Sequence, residues 1–320
     1  MKQKHPFRFG VNITDIKSGE ELRATARKME DLGYSTFSSG DHFRFGLAPI
    51  VPLMAVAEAT TTLRVGTLVL GNDFRHPAVV ARELATLDVL SNGRLELGLG
   101  TGWEQVDYVQ PGIPLDPPGV RVGRLEEAIQ IFKQFFGEQP VNFAGAYYTI
   151  TNLNGIPKPI QSPHPPLLIG GGSKRMLSIA GREADIVSIN LKTTADGQLD
   201  LASASAEATD QKIEWIRQAA GERFADLEFN VLVLAVLITD DPHQALAEKF
   251  AKWGINLQDI SQIISVEALL ASPHFLVGTE NEIAELLQAR RERFGISYYT
   301  LFGEESIDLF APVVTRLTGS

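Results

Sequence analysis

The feature of this chain that most constrains its fold is a regular alternation of short apolar runs with longer amphipathic segments. The apolar runs have the length of strands, and segments of about 10–15 residues with helical periodicity separate them. Such alternation predicts βαβ units, in which helices cover both faces of a parallel sheet. Eight units in 320 residues predict a (β/α)8 TIM barrel, with an open doubly wound sheet as the alternative. The eight strands are predicted at residues 7–13, 34–39, 63–70, 94–100, 166–170, 185–190, within 227–239 and at 296–302.

Insertions are expected after strands four, six and seven, where longer segments break the alternation. Residues 102–120 contain four prolines and are predicted to form a loop, and residues 190–205 and 254–275 are the other two insertions. Residues 140–165 are expected to include a short hairpin. No linker is recognisable, so residues 1–320 are expected to form a single domain. Long loops after barrel strands commonly build the active site.

The composition disfavours several classes of partner. The chain has 39 acidic and 29 basic residues and a formal net charge of −10, which disfavours nucleic acid and anionic membranes. No apolar run approaches the roughly 18 residues of a membrane helix. No secretory signal is recognisable, so a cytoplasmic protein is expected. Zero cysteines exclude thiolate ligands, and the six histidines lack metal-binding spacing, so no metal site is predicted. The chemistry is then expected to come from an organic cofactor.

A run of three glycines follows the predicted fifth strand. Residues 170–172 precede Ser173 and a segment with helical periodicity, so bare backbone N–H groups would lie at the start of a helix. Such a turn binds phosphate, because the helix dipole favours negative charge and no side chain blocks the approach. A plain tight turn is the alternative explanation. The candidate cations for an anionic ligand, each otherwise a solvated surface residue, are Lys174, Arg175 and Arg75.

Polar residues follow two of the predicted strands at the edge where barrel enzymes place catalytic groups. Asp41 and His42 come after strand two and are typical of an acid/base pair, or else of a loop-capping aspartate beside a half-buried histidine. After strand four, Gly100 leaves the barrel mouth open, and Trp103 offers a flat apolar wall or a plug between loops. Glu104 could act as a general acid/base or be a surface carboxylate.

In order and spacing, these motifs resemble the luciferase-like monooxygenase superfamily, within it the deazaflavin-dependent oxidoreductases that use coenzyme F420. The resemblance extends over nearly the whole chain. The motifs that carry it are Ser39-Gly40-Asp41-His42, Phe74-Arg75-His76-Pro77-Ala78, Asn92-Gly93-Arg94, the glycine-rich stretch from Leu97 to Trp103, the stretch from Gly119 to Glu127, Ile169-Gly170-Gly171-Gly172-Ser173, and Val277-Gly278-Thr279.

The resemblance implies a barrel with an insertion after strand seven, often dimeric, with a deazaflavin or flavin ring across the strand ends. It implies a non-prolyl cis peptide bond near the end of strand three, where backbone would hold the ring. It places the cofactor phosphate on the glycine run, and Asp41 and His42 at the redox-active ring. The implied cofactor-binding residues are His42, Leu68, Val69, Leu70, Gly71, Gly100, Gly170, Gly171, Gly172 and Ser173.

The resemblance also shows one departure. In the sugar-phosphate dehydrogenase branch, a glutamate follows the Gly-Thr-Gly of strand four, and here Trp103 stands in that place. This chain is therefore not expected to be that dehydrogenase.

The leading hypothesis is an F420-dependent oxidoreductase that transfers a hydride between the cofactor C5 and a small organic substrate, with His42 oriented by Asp41. The alternative is an FMN-dependent monooxygenase that uses reduced flavin and oxygen. A non-catalytic flavin-binding protein is a weaker hypothesis. A sugar-phosphate isomerase or aldolase is another, for which Lys192 is the nearest candidate Schiff-base residue. A homodimer is expected.

Overall fold

The computed structural model describes residues 5–194, 198–256 and 260–320. Its centre is a closed barrel of eight parallel strands, since the first strand pairs with the last and the third pairs with the fourth barrel strand. With strands numbered along the chain, the barrel consists of β1 (Arg8–Ile13), β2 (Thr36–Ser39), β3 (Arg64–Thr67), β5 (Leu95–Gly100), β8 (Leu167–Gly171), β9 (Ile186–Ile189), β12 (Glu228–Val233) and β15 (Ile296–Phe302).

The remaining described strands lie outside the ring. A two-residue strand, β4 (Leu70–Gly71), continues along β5 after a break in β3. The others form three small two-stranded sheets: the antiparallel pair β6 (Val141–Ala144) and β7 (Thr149–Leu153), the antiparallel pair β10 (Lys192–Thr193) and β11 (Leu199–Asp200), and the parallel pair β13 (Ala235–Ile238) and β14 (Phe275–Gly278).

Helices follow the strands and cover the barrel. Their starts carry the expected signals: Ser18 caps the first helix, and Thr279 and Glu282 form a capping box. The described helices are α1 (Gly19–Asp31), α2 (Ile50–Ala59), α3 (Pro77–Leu90), α4 (Val106–Val109), α5 (Pro118–Phe136), α6 (Lys174–Glu183), α7 (Ala206–Ala220), α8 (Pro242–Lys252), α9 (Val266–Ala271), α10 (Glu280–Phe294) and α11 (Ser306–Leu317).

The predicted (β/α)8 barrel is confirmed, with all eight strands at their predicted places and insertions after strands four, six and seven. Two local predictions were wrong. Strand three ends at Thr67 and is broken before β4. The proline-rich segment 102–120 is not all loop, because it contains α4 and the first turn of α5, where Pro118 suits a helix start. The seventh strand lies within 227–239 as predicted, and the apolar stretch continues beyond it into β13, which belongs to a different sheet.

Charged side chains fill the barrel at the end opposite the predicted site. Glu96, on β5, accepts hydrogen bonds from Arg8 at 2.5 Å and Arg64 at 2.7 Å, and Arg8 also bonds Glu228. Burial alone would raise the pKa of the Glu96 carboxyl, but the two guanidinium groups lower it below its usual value. This network closes the amino-terminal end of the barrel and leaves the carboxyl ends of the strands as the open face.

Candidate active site

The carboxylate of Asp41 binds Arg75 and the backbone of Gly71, beside the neighbouring strand, and it does not bind His42. Its carboxylate accepts the Gly71 N–H at 3.0 Å and two hydrogen bonds from Arg75, at 2.6 and 3.1 Å. The loop after β2 is thereby tied to the end of β4. The prediction that Asp41 orients His42 was wrong, because adjacent side chains on this turn point to different neighbours.

His42 instead pairs with Asp107, a residue that the sequence did not single out. The Nδ1 atom of His42 lies 2.6 Å from Asp107 Oδ2, and the Phe43 N–H donates to Asp107 Oδ1 at 2.9 Å. Asp107 is buried in α4, inside the segment predicted to be a loop. The only signal in the sequence was its position a few residues after strand four, which does not distinguish it from Glu104.

Glu104 lies beside this pair. Its Oε2 atom is 3.3 Å from His42 Nδ1, and its Oε1 atom is 2.9 Å from the guanidinium of Arg44. One ligand atom each from His42, Glu104 and Asp107 lies within 4.8 Å of the others, so the residue types of a metal site meet here although sequence spacing predicted none. The Arg44 guanidinium already supplies positive charge to this cluster.

Aromatic rings enclose the imidazole of His42. The Phe45 ring stacks on it with centroids 4.6 Å apart, and the Trp103 ring lies nearly perpendicular to it with centroids 6.1 Å apart. Trp103 is a little over one-third exposed, so it forms a wall rather than a buried plug. His42, Trp103 and Glu104 therefore meet at one point on the barrel rim, as the strand-end argument predicts.

The end of strand three has the backbone feature that the resemblance implies. The Leu68–Val69 peptide bond is cis, within the expected stretch. The glycines of β5 make room for this segment: a Cβ atom on Gly100 would lie 2.6 Å from Val69 Cγ2, and one on Gly98 would lie 1.9 Å from the carbonyl oxygen of Thr67. Gly100 is thus needed for packing under Val69.

A polar atom at the barrel mouth fits a bound ligand. Asn12, near the end of β1, is buried, and its Oδ1 atom has no hydrogen-bond partner among the described residues. Its amide nitrogen is 3.8 Å from the position of a Cβ on Gly40, in the turn that leads to His42. A buried acceptor without a partner costs free energy unless something donates to it. The mouth is therefore suited to a ligand with a polar edge.

The glycine run ends β8 and precedes α6, as predicted. Ser173 is exposed, and its Oγ atom accepts the Met176 N–H at 3.4 Å as the N-cap. Gly172 has a packing reason of its own, because a Cβ there would lie 2.3 Å from the Leu191 carbonyl oxygen. The helix start and the exposed Lys174 fit a phosphate group.

Two of the three candidate cations are bound to acids. Arg75 pairs with Asp41, and Arg175 pairs with Glu126 at 2.8 Å. Lys192, the candidate Schiff-base residue, has its ammonium 5.5 Å from the centroid of the Trp215 ring.

A cavity of about 780 Å³ opens beside this rim. It lies between α4 with the residues just before it, the start of β11, and the insertion after β12. Trp103 and Glu104 form the wall nearest His42, and Phe250 and Phe275 line the side formed by the insertion. A volume of this size is typical of small-molecule sites.

Comparison with known proteins identifies the family. Residues 4–272 match the family model described as luciferase-like monooxygenase. The chain belongs to this family. Among curated members, an F420-dependent glucose-6-phosphate dehydrogenase of Amycolatopsis mediterranei is 33% identical over 173 residues, covering 52% of this chain and 51% of that protein. An FMNH2-dependent dimethylsulfone monooxygenase of Pseudomonas putida is 28% identical over 200 residues, covering 62% of this chain and 52% of that protein. The chain spans about half the length of these curated relatives.

Solved structures of the luciferase-like fold superpose on nearly the whole chain. The coenzyme F420-dependent tetrahydromethanopterin reductase of Methanopyrus kandleri has a TM-score of 0.78 at 17% identity, covering 98% of this chain and 100% of that one. An F420-dependent secondary alcohol dehydrogenase has a TM-score of 0.73 at 19% identity, covering 98% and 99%. At these identities the likeness shows the fold. No described helix of the chain is both long and apolar enough to span a bilayer.

Proposed function

We propose that this luciferase-like protein is an F420-dependent oxidoreductase that transfers a hydride between the cofactor C5 and a small organic substrate. The observation that carries the proposal is the His42–Asp107 pair at the carboxyl ends of the strands, next to a cavity of substrate size. Support also comes from curated relatives that are F420-dependent glucose-6-phosphate dehydrogenases.

The residues at the mouth fit such a cofactor. The backbone of Leu68 to Gly71 and the open rim at Gly100 would hold the ring, and the unpartnered Asn12 oxygen would accept a hydrogen bond from its polar edge. Gly170, Gly171, Gly172 and Ser173, at the start of α6, would hold the phosphate. When bound, F420 supplies the carbon that gives or takes a hydride.

The side chains around His42 fix its orientation. A carboxylate 2.6 Å from Nδ1 keeps the hydrogen on that nitrogen, so Nε2 is the atom left to exchange a proton with substrate. Phe45 and Trp103 hold the ring in place and limit its contact with water. Asp107 thus positions the imidazole, while Asp41 holds the rim through Arg75 and Gly71.

An FMN-dependent monooxygenase is the second candidate, because the Pseudomonas putida relative uses FMNH2. The two functions differ in the cofactor bound and in whether the reduced complex consumes oxygen.

The test is a fluorescence titration of the purified protein with F420 and with FMN, using two variants at one position. Ser173→Asp keeps a good N-cap and adds a negative charge at the phosphate site, whereas Ser173→Asn keeps the cap without the charge. We expect F420 to bind more tightly than FMN, Ser173→Asp to weaken binding at least tenfold, and Ser173→Asn to bind like the wild type. Equal affinities in both variants would remove the phosphate assignment, and tighter binding of FMN with oxygen consumption would favour the monooxygenase.

We further propose that residues 1–320 form one domain and that two copies form a homodimer in the cytoplasm. The pairing of β1 with β15 supports the single domain, since both ends of the chain belong to one barrel. The exposed Val51 on α2 and Val79 on α3 support an apolar contact between copies. Sedimentation velocity would test the dimer.

A further inference from the structure

We propose that the cavity beside His42 binds a neutral, largely apolar substrate, an alcohol or carbonyl compound with a hydrocarbon chain. The inference deepens the proposed function and rests on it only in calling the bound molecule a substrate. The cavity is joined to the catalytic rim by Trp103 and Glu104, which both line it and both lie against His42.

The lining of the cavity is mainly hydrocarbon. Trp253 and Ile255 expose apolar surface on the side formed by the insertion, and behind them the buried rings of Phe250 and Phe275 stack with centroids 5.9 Å apart, which makes this wall rigid. Leu234 adds to this side, and Val106 and Val109 of α4 face it from the other. Apolar surface of this kind gains free energy by covering hydrocarbon groups and offers nothing to an ion.

The charges in the described lining cancel. Arg44 and Glu104 are the charged residues of the described lining. They form an ion pair, with a guanidinium nitrogen of Arg44 2.9 Å from Glu104 Oε1. The other polar side chains of the described lining are the neutral amides of Gln105, Gln110 and Gln198, which suit a hydroxyl or carbonyl oxygen and bring no positive charge to offset that of a phosphate or carboxylate. The Glu104 end, next to His42, is where a hydroxyl or carbonyl oxygen would lie.

The cavity contains its own spectroscopic probes. Two of the three tryptophans, Trp103 and Trp253, line it and are partly exposed. Binding of an apolar molecule should therefore change the intrinsic fluorescence of the protein without any cofactor. This separates the inference from the proposed function, which the F420 titration tests.

The experiment titrates cofactor-free protein with 2-decanone, with decanoate and with glucose 6-phosphate while tryptophan emission is recorded. We expect saturable binding of 2-decanone, at least tenfold weaker binding of decanoate, and no response to glucose 6-phosphate. 2-Octanone, two methylenes shorter, should bind roughly 15-fold more weakly, because each buried methylene contributes about fourfold in affinity. Absence of a 2-decanone response, or tighter binding of either anion, would overturn the proposal.

A pair of lysine variants locates the binding. Val109→Lys adds a positive charge to the cavity wall, whereas Leu309→Lys adds the same charge to α11, outside the lining. We expect Val109→Lys to weaken 2-decanone binding at least fivefold and to strengthen decanoate binding, and Leu309→Lys to leave both affinities at the wild-type value. Equal effects of the two variants would mean that the ketone binds elsewhere, and would overturn the assignment of this cavity.

Discussion

At the scale of single residues, two buried aspartates at the barrel rim have different partners and therefore different roles. Asp41 is bound by Arg75 and by the Gly71 N–H, so its charge is neutralised and its position is structural. Asp107 is bound by His42 and by the Phe43 N–H, so its charge acts on the imidazole. The same change in each aspartate should therefore have different consequences.

We expect Asp107→Asn to lower kcat by about 100-fold or more, with little change in cofactor affinity, because the amide no longer fixes the hydrogen on Nδ1 of His42. The pH profile of kcat should also change, which a purely structural defect would not cause. Asp41→Asn is the matched control. It should lower Tm, and its effect on kcat should be much smaller than that of Asp107→Asn. Similar kcat values in the two variants would contradict the assignment of Asp107 as the positioning residue.

At the scale of elements, the glycines of β5 and the glycine that follows β8 serve packing as much as binding. Gly98 and Gly100 let β5 approach the segment around Val69, and Gly172 lets the start of α6 approach the backbone at Leu191. The motif that resembles a phosphate site thus has a second cause in the close approach of two backbones. A substitution at Gly172 therefore cannot by itself test cofactor binding, which is why Ser173 is the better position.

Gly172→Ala should destabilise the cofactor-free protein by about 1–3 kcal/mol, because its Cβ would lie 2.3 Å from the Leu191 carbonyl oxygen. Gly119→Ala, in the first turn of α5, is the matched control. The nearest atom to its Cβ is an exposed arginine nitrogen 3.8 Å away, so it should leave stability unchanged or raise it slightly. Urea denaturation of the two variants measures the difference. Equal denaturation midpoints for the two variants would show that the backbone at the start of α6 shifts to accommodate the added methyl group, and would contradict the prediction.

At the scale of the whole molecule, His274 joins the barrel to the insertion after β12. Its Nδ1 atom lies 3.0 Å from the Leu232 carbonyl oxygen, and its own carbonyl accepts the Leu234 N–H. Burial, with the nearby charges of Lys212 and Arg290, lowers the pKa of His274 to about 3. The folded protein therefore holds this imidazole neutral well below the pH at which the unfolded chain protonates it.

The unfolded state then binds one more proton than the folded state between about pH 6.5 and pH 3. The contribution of His274 to the free energy of unfolding is therefore complete above pH 6.5 and is lost as the pH falls. Between pH 7.5 and 5.0 we expect the wild type to lose about 2 kcal/mol more stability than His274→Gln, at 1.4 kcal/mol per pH unit. The exposed His243 gives the control His243→Gln, which should follow the wild type. Parallel pH dependences of wild type and His274→Gln, from urea denaturation at both pH values, would contradict this.

The alternation of strands and helices was enough to determine the (β/α)8 barrel and which residues follow each strand, because strand and helix periodicities are local properties of the chain. The partners at the site were decided by tertiary structure. His42 and Asp107 are 65 residues apart, and they meet because α4 forms in a proline-rich segment where no local pattern predicted a helix. The cavity likewise depends on how three insertions pack against one another. Local periodicity specifies where a side chain stands along an element, but only the packed loops decide which side chain it meets.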